Sequence, residues 1–222
     1  GTNNTVPSPQ TFVGMGCNVS LTVCSTNVGV VAASNSGVER CSLTVGNIFM
    51  GAVVNTCMQT DGDSAIVAGF NHCMDGSGRS FIGAGQVNKT TQDNTFIGTG
   101  FNNCVCASSS AIVSGTNSSI SGSSSFIGTG NAHCITSSGQ TSVIGGGTGN
   151  CIQARGSAIL GGCSNVVPAS CEHAMIIGNG ITADRVCATF VNNLSIKNIP
   201  TASTGLPSGS VWSNSGVLNI VA

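Results

Sequence analysis

Two stretches decide the fold: Ser125-Phe-Ile-Gly-Thr-Gly130 and Ser142-Val-Ile-Gly-Gly-Gly147. Both follow the pattern Ser/Thr-x-Ile-x-x-Gly, which also occurs at Ser64 to Gly69, Ser80 to Gly85, Thr95 to Gly100, Ser110 to Gly115 and Ser157 to Gly162. A looser copy closes at Gly178, with Met175 in the isoleucine place, and three degenerate copies close at Gly16, Ala33 and Gly51. The chain therefore reads as eleven units of 15 to 18 residues. Such a unit is too short for a helix pair or a propeller blade. It fits one coil of an all-β parallel solenoid or β-roll, with two short strands and two tight turns per coil. Coils stacked at about 4.8 Å give a rod on the order of 50 Å long. Gly and the asparagines that follow it (Asn71, Asn88, Asn102, Asn103, Asn117, Asn150, Asn165) suit the turns, because both residue types tolerate a left-handed backbone.

Within the unit, with the closing residue as zero, position minus three is a column that includes Ile66, Ile82, Ile97, Ile112, Ile127, Ile144 and Ile159. It reads as the core of the roll. Positions minus four and minus two point to the opposite face, since strand side chains alternate. They exchange bulk in step: Phe81/Gly83, Phe96/Gly98 and Phe126/Gly128 against Ala65/Val67, Ala111/Val113 and Ala158/Leu160. Phe12/Gly14 and Gly29/Val31 follow the rule, Ala174/Ile176 closes it, and Asn47/Phe49 matches poorly. A face of steady volume is expected to be packed, because cavities and overpacking both cost stability. A narrow coil cannot cover both faces of its own strand. The expected cover is therefore other copies of the chain, with threefold closure favoured over twofold. A wider coil whose third wall covers this face is the alternative.

The units Ser-Phe-Ile-Gly-Thr-Gly and Ser-Val-Ile-Gly-Gly-Gly-x-x-Asn-Cys-Ile resemble repeats in fibre and tail proteins of phages and large DNA viruses. They are also similar to the repeats of trimeric autotransporter adhesin heads. The likeness spans about residues 11 to 183, and the tail from Leu206 to Ile220 resembles the closing segment of such viral proteins. The first three units depart from it, being irregular with longer turns. The resemblance implies a left-handed parallel β-roll homotrimer with Phe81, Phe96, Phe126, Val67, Val113 and Leu160 toward the partner copies, and Ile82, Ile97 and Ile127 inside. It implies a structural or attachment role on a virion surface, toward a host-surface glycan or protein. A bacterial surface adhesin head is the alternative. An ice-binding solenoid is a weaker one, because Thr99 and Thr129 share their column with Ala68, Ala84, Ser114, Gly146 and Gly161.

Composition agrees. Gly, Ser, Asn and Thr fill nearly half of the 222 positions, and charged residues are 6%, with six basic against seven acidic. Nucleic-acid binding needs clustered Lys and Arg, so no nucleic-acid partner is expected. Hydrophobic content of 40% supplies a core, which with aromatic content of 4% must be aliphatic. No run of 18 apolar residues occurs, so no membrane insertion is expected. Gly1-Thr2-Asn3-Asn4 has neither basic region nor apolar run, and residues 1–10 read as a lead-in rather than a signal peptide.

After about Ala183 the repeat stops, and 184–222 reads as a capping segment. Phe190 to Ile199 holds a strand or two. Ser210 to Ile220 reads as a β-hairpin with a Gly-bearing turn. A stack of coils ends in an open edge, so a cap is expected, with Trp212, Leu206 and Val217 in it.

Twelve cysteines invite a disulfide reading. However, Cys24, Cys41, Cys57, Cys73, Cys104, Cys134 and Cys151 each open a second strand, forming a column interrupted by Lys89, Ser119 and Val166. Stacked, buried, reduced thiols are the leading expectation. Disulfides between adjacent coils come next, and metal binding last. His72 and His133 read as occupants of an Asn-rich turn position. The acids Glu39, Asp61, Asp63, Asp75, Asp93, Glu172 and Asp184 are scattered, whereas solenoid hydrolases and lyases need clustered groups. No enzyme activity, catalytic residue, cofactor or metal site is therefore expected. The variable turns of the N-terminal units and around Asp61 to Asp63 are the candidate recognition loops.

Overall fold

The computed structural model describes residues 3–4, 11–22, 27–39, 47–60, 62–76 and 78–221. Among these residues there is no helix, and so none long and apolar enough to cross a membrane. Residues 1–192 form one unit and residues 193–222 a second.

The first unit is a parallel β-solenoid of about ten turns. A twelve-stranded sheet runs from Thr11–Cys17 to Thr189–Val191, and a ten-stranded sheet from Ser20–Thr22 to Val166–Val167. Successive strands of the chain alternate between the two sheets up to Val166–Val167, and every pairing within each sheet is parallel. Each coil thus hands its backbone hydrogen bonds to the coil above and the coil below.

The core follows from residue register. Ile66, Ile82, Ile97, Ile112, Ile127, Ile144 and Ile159 pair coil on coil in one column, each fully buried. From the second sheet, Met58, Met74, Val105, Ile120, Ile135, Ile152 and Val167 join the same apolar cluster. Thr90 occupies the matching place between Met74 and Val105. β-Branched side chains suit this position, since they fill a pleated surface with few rotamers to lose.

Two polar ladders line the corners. The Ser/Thr of the repeat motif is buried, and the serine Oγ atoms accept the backbone N–H of the coil that follows: Ser125 N–H to Ser110 at 3.2 Å, Ser142 to Ser125 at 3.2 Å, Ser157 to Ser142 at 3.1 Å. At the other corner stands a buried column that includes Ser36, Thr56, His72, Asn88, Asn103, Ser118, His133, Asn150 and Asn165. Asn103 N–H reaches Asn88 Oδ1 at 3.1 Å, and Asn165 N–H reaches Asn150 Oδ1 at 3.0 Å. These side chains satisfy backbone groups at bends where the strand ladder is interrupted.

Asn71, Asn102 and Asn117 take left-handed φ, as expected of turn asparagines, whereas Asn88, Asn103, Asn150 and Asn165 do not. The latter sit one residue further on, inside the corner, and work by hydrogen bonding instead.

Three readings of the repeat need correction. Met50, not Ile48, pairs with Ile66, so Val53 takes the closing place opposite Gly69 and the outward pair is Phe49/Gly51. Asn47 lies at the turn, bonded to Asp63. Near the C-terminal end, Ile176 pairs with Ile159 and is buried, while Met175 and Ile177 face out, with a register shift at that pairing. Ala174 there occupies the serine-ladder place, giving its N–H to Ser157 Oγ at 3.2 Å. The solenoid also runs beyond Ala183, because Thr189–Val191 pairs with Met175–Ile177. At the other end Asn4 Oδ1 accepts the Val19 N–H at 3.2 Å, so part of the lead-in already belongs to the corner ladder.

The second unit holds the antiparallel hairpin Val211–Asn214 with Val217–Ile220. Ser215 and Gly216 both have positive φ, the requirement of the tight hairpin turn that matches strand twist. Trp212 and Leu206 are half-buried and Val217 is exposed. No residue of 193–221 is buried, so Trp212 is not the centre of a core within this unit. A two-stranded sheet has too few layers to make one.

Candidate functional site

The outward face of the twelve-stranded sheet is a feature that the fold alone leaves unexplained. By register its two main columns carry the pairs Phe49/Gly51, Ala65/Val67, Phe81/Gly83, Phe96/Gly98, Ala111/Val113, Phe126/Gly128, Val143/Gly145 and Ala158/Leu160. No strand of this sheet contains a charged residue. In the single chain Phe96 and Phe126 are each 39% exposed, Val67 41%, Val113 45% and Leu160 52%. Phe81 is half-buried, its ring stacked on that of Phe96.

The structure adds a local cause for the exchange of bulk. A Cβ at Gly83, Gly98 or Gly51 would run first into the carbonyl oxygen of Gly98, Val113 or Val67 in the next coil, and would also lie 3.2 Å from the Phe81 ring, 3.3 Å from Phe96 and 3.3 Å from Phe49 respectively. Each Phe therefore lies along its own strand over the glycine two residues on. The steady volume expected from packing against a neighbour is also produced within the strand.

Where Ala replaces Phe the face is notched. The notch at Ala65 is an open groove of ≈ 410 Å³ between Phe49 and Phe81, rimmed by Asn47, Asp63 and Arg79. Asp63 accepts the Asn47 N–H at 2.7 Å and its Nδ2 at 2.9 Å, which hold its carboxyl below the usual range. A second groove, ≈ 420 Å³, lies over Ala32, Ala33 and Ala52.

The cysteine column is on the outward side of the other sheet. Cys57, Cys73, Lys89, Cys104, Ser119, Cys134, Cys151 and Val166 pair in register. In the first coils this column holds Ser20 and Gly37, and Cys24 and Cys41 lie outside the described residues. The thiols are half-exposed rather than buried, because the alternate residues Met58, Met74, Ile135 and Ile152 take the inside. Nor are all of them thiols: Cys104 is disulfide-bonded to Cys106 in its own coil, the two being alternate residues on one face. Burial pushes the Cys73 thiol up.

His72 and His133 belong to the asparagine ladder. Each Nδ1 accepts a backbone N–H of the following coil, from Asn88 at 3.2 Å and from Asn150 at 3.3 Å. The proton is therefore on Nε2, which in His72 donates to the Ala68 carbonyl at 3.1 Å. The Nε2 of His133 is buried without a partner. Desolvation holds both imidazoles below the ordinary value. Among the described residues no group of three or more His, Cys, Asp and Glu converges. Of the candidate recognition loops, Asp61 and residues 23–26 and 40–46 lie outside the described residues.

No family model and no curated protein matches the chain.

Sequence reasoning found the isoleucine column and the outward pairs but missed the two hydrogen-bonded ladders. Their signal was present in all seven strict copies: Ser or Thr at minus five, and Asn, His or Ser three residues after the closing glycine.

Proposed function

We propose that the chain is a non-catalytic fibre or spike segment of a virion, a left-handed β-roll homotrimer that contacts a host surface. One observation carries the reading: the charge-free, half-exposed apolar face of the twelve-stranded sheet. A continuous apolar face of this kind marks an interaction surface. It runs along the rod, so a partner of matching length and chemistry is a second and third copy laid alongside. Threefold closure about an axis parallel to the rod joins the faces and leaves the cysteine-bearing sheet and the corners outside. A rod of this kind projects from a particle, and its outer corners and loops meet the host glycan or protein.

Native mass spectrometry of the reduced protein tests the assembly. A trimer is expected, and a lone chain at micromolar concentration sinks the reading. Binding to glycan arrays and to whole cells tests attachment. Retention by neither leaves a trimer that acts as a spacer.

A further inference from the structure

We propose that Cys134 and Cys151 are a cross-linking site at which a low-molecular-weight disulfide oxidises the two thiols to a bond joining successive coils. The inference is independent of the proposed function, because the pair lies on the sheet opposite the apolar face.

The geometry comes from register. Cys134–Ile135 and Cys151–Ile152 are neighbouring parallel strands, with Cys134 directly opposite Cys151. Ile135 and Ile152 are fully buried, so both cysteines point outward and together. Neighbouring strands lie about 4.8 Å apart, inside the roughly 4.4–6.8 Å that a disulfide spans between Cα atoms. Both thiols are half-exposed, within reach of a small reagent. The column places Ser119 on one side of the pair and Val166 on the other, so no further thiol of the column adjoins it.

The chemistry is thiol–disulfide exchange. The Cys134 thiolate attacks one sulfur of oxidised glutathione, forming a mixed disulfide and releasing one glutathione. Cys151 gives its proton to solvent and attacks the Cys134 sulfur, releasing the second glutathione. Two protein thiols are oxidised and one small disulfide is reduced to two thiols. A hydrogen bond from Cys151 lowers the Cys134 thiol to about 6, which favours it as the first nucleophile. The same contact, with burial, raises Cys151. Gln153 Nε2 lies 3.9 Å from the Cys151 sulfur, and the Ser119 side chain hydrogen-bonds Cys134 and helps to lower it.

The test incubates the folded full chain with oxidised glutathione, alkylates remaining thiols and maps peptides without reduction. The expected result is a peptide pair joined through Cys134 and Cys151, lighter by two hydrogen atoms and free of glutathione. Cys151→Ser should instead trap glutathione on Cys134. The exposed Cys163 reports that the reagent is active. The proposal is overturned if Cys163 becomes glutathionylated while Cys134 and Cys151 stay alkylated, or if wild-type protein keeps glutathione on either of them.

Discussion

The Phe96 ring stacks on the Phe81 ring of the preceding coil, centroids 5.4 Å apart and planes within 8° of parallel. Each ring is covered on one side by its neighbour and from below by its own strand, leaving the outer side open. Within one chain the stack is worth about 0.5–1.5 kcal/mol, too little to decide folding. A charge at this place is tolerable in a lone chain and intolerable against another apolar wall. Phe96→Glu should leave the β-type circular dichroism intact and shift native mass from trimer toward single chains. Gln153→Glu, directly after the strand Cys151–Ile152 of the opposite sheet, should leave the mass distribution unchanged. A Phe96→Glu protein that stays fully trimeric would place the interface elsewhere.

Gly100 and Gly161 make a controlled pair. Gly100 has φ of +127°, and a Cβ there would run into the carbonyl oxygen of Gly115 in the next coil. Gly161 has ordinary backbone geometry and nothing within 4 Å of the same added atom. Gly100→Ala should destabilise by more than about 1 kcal/mol, since strain and a backbone clash combine. Gly161→Ala should be neutral or stabilising by a few tenths of a kcal/mol, because it restricts the unfolded chain. Denaturant midpoints of the two variants measure the contrast.

Ile82, Ile97 and Ile127 can be assigned to one column from spacing alone, because coils of constant length bring the same residue type back to the same place. The end coils are less legible. There the closing position is held by Val53, and Met175 stands beside Ile176, so residue type no longer marks register; only strand pairing does. Strand pairing likewise puts Ser20 and Gly37 in line with Cys57, where residue type alone aligns Cys24 and Cys41, which lie outside the described residues. The asparagines at 102 and 103 look equivalent in sequence, yet one is an exposed left-handed corner and the other a buried hydrogen-bonding rung.

Asn103 shows what such a rung does. Its Nδ2 donates to the Gly115 carbonyl at 2.7 Å, and its Oδ1 accepts the Ser118 N–H at 3.1 Å. Asn103→Leu would take a buried partner from each of these two backbone groups, a loss of about 2–6 kcal/mol at 1–3 kcal/mol for each group. Asn103→His should lose much less, because His72 and His133 already fill the same place in other coils and accept the same N–H. Equal losses for Leu and His would mean that volume rather than hydrogen bonding governs the position.

Acid should act through His72 and His133. Both are held below their ordinary value of 6.5, first by desolvation, and both use Nδ1 as an acceptor. The unfolded chain therefore takes up a proton at a higher pH than the folded one. Their contribution is fully present above the unfolded value and is lost as pH falls below it. Asp63 is also depressed, but its contribution is lost only in the lower range of carboxylates. Stability should therefore fall between about pH 7.5 and about pH 5, where the imidazoles titrate, together with the depressed Cys134 thiol, and the carboxylates stay charged. Replacing both histidines with asparagine, the residue of neighbouring rungs, should flatten that slope while keeping the ladder. Denaturant midpoints at the two pH values, wild type against the double variant, provide the test, and an unchanged slope would remove the imidazoles as its cause.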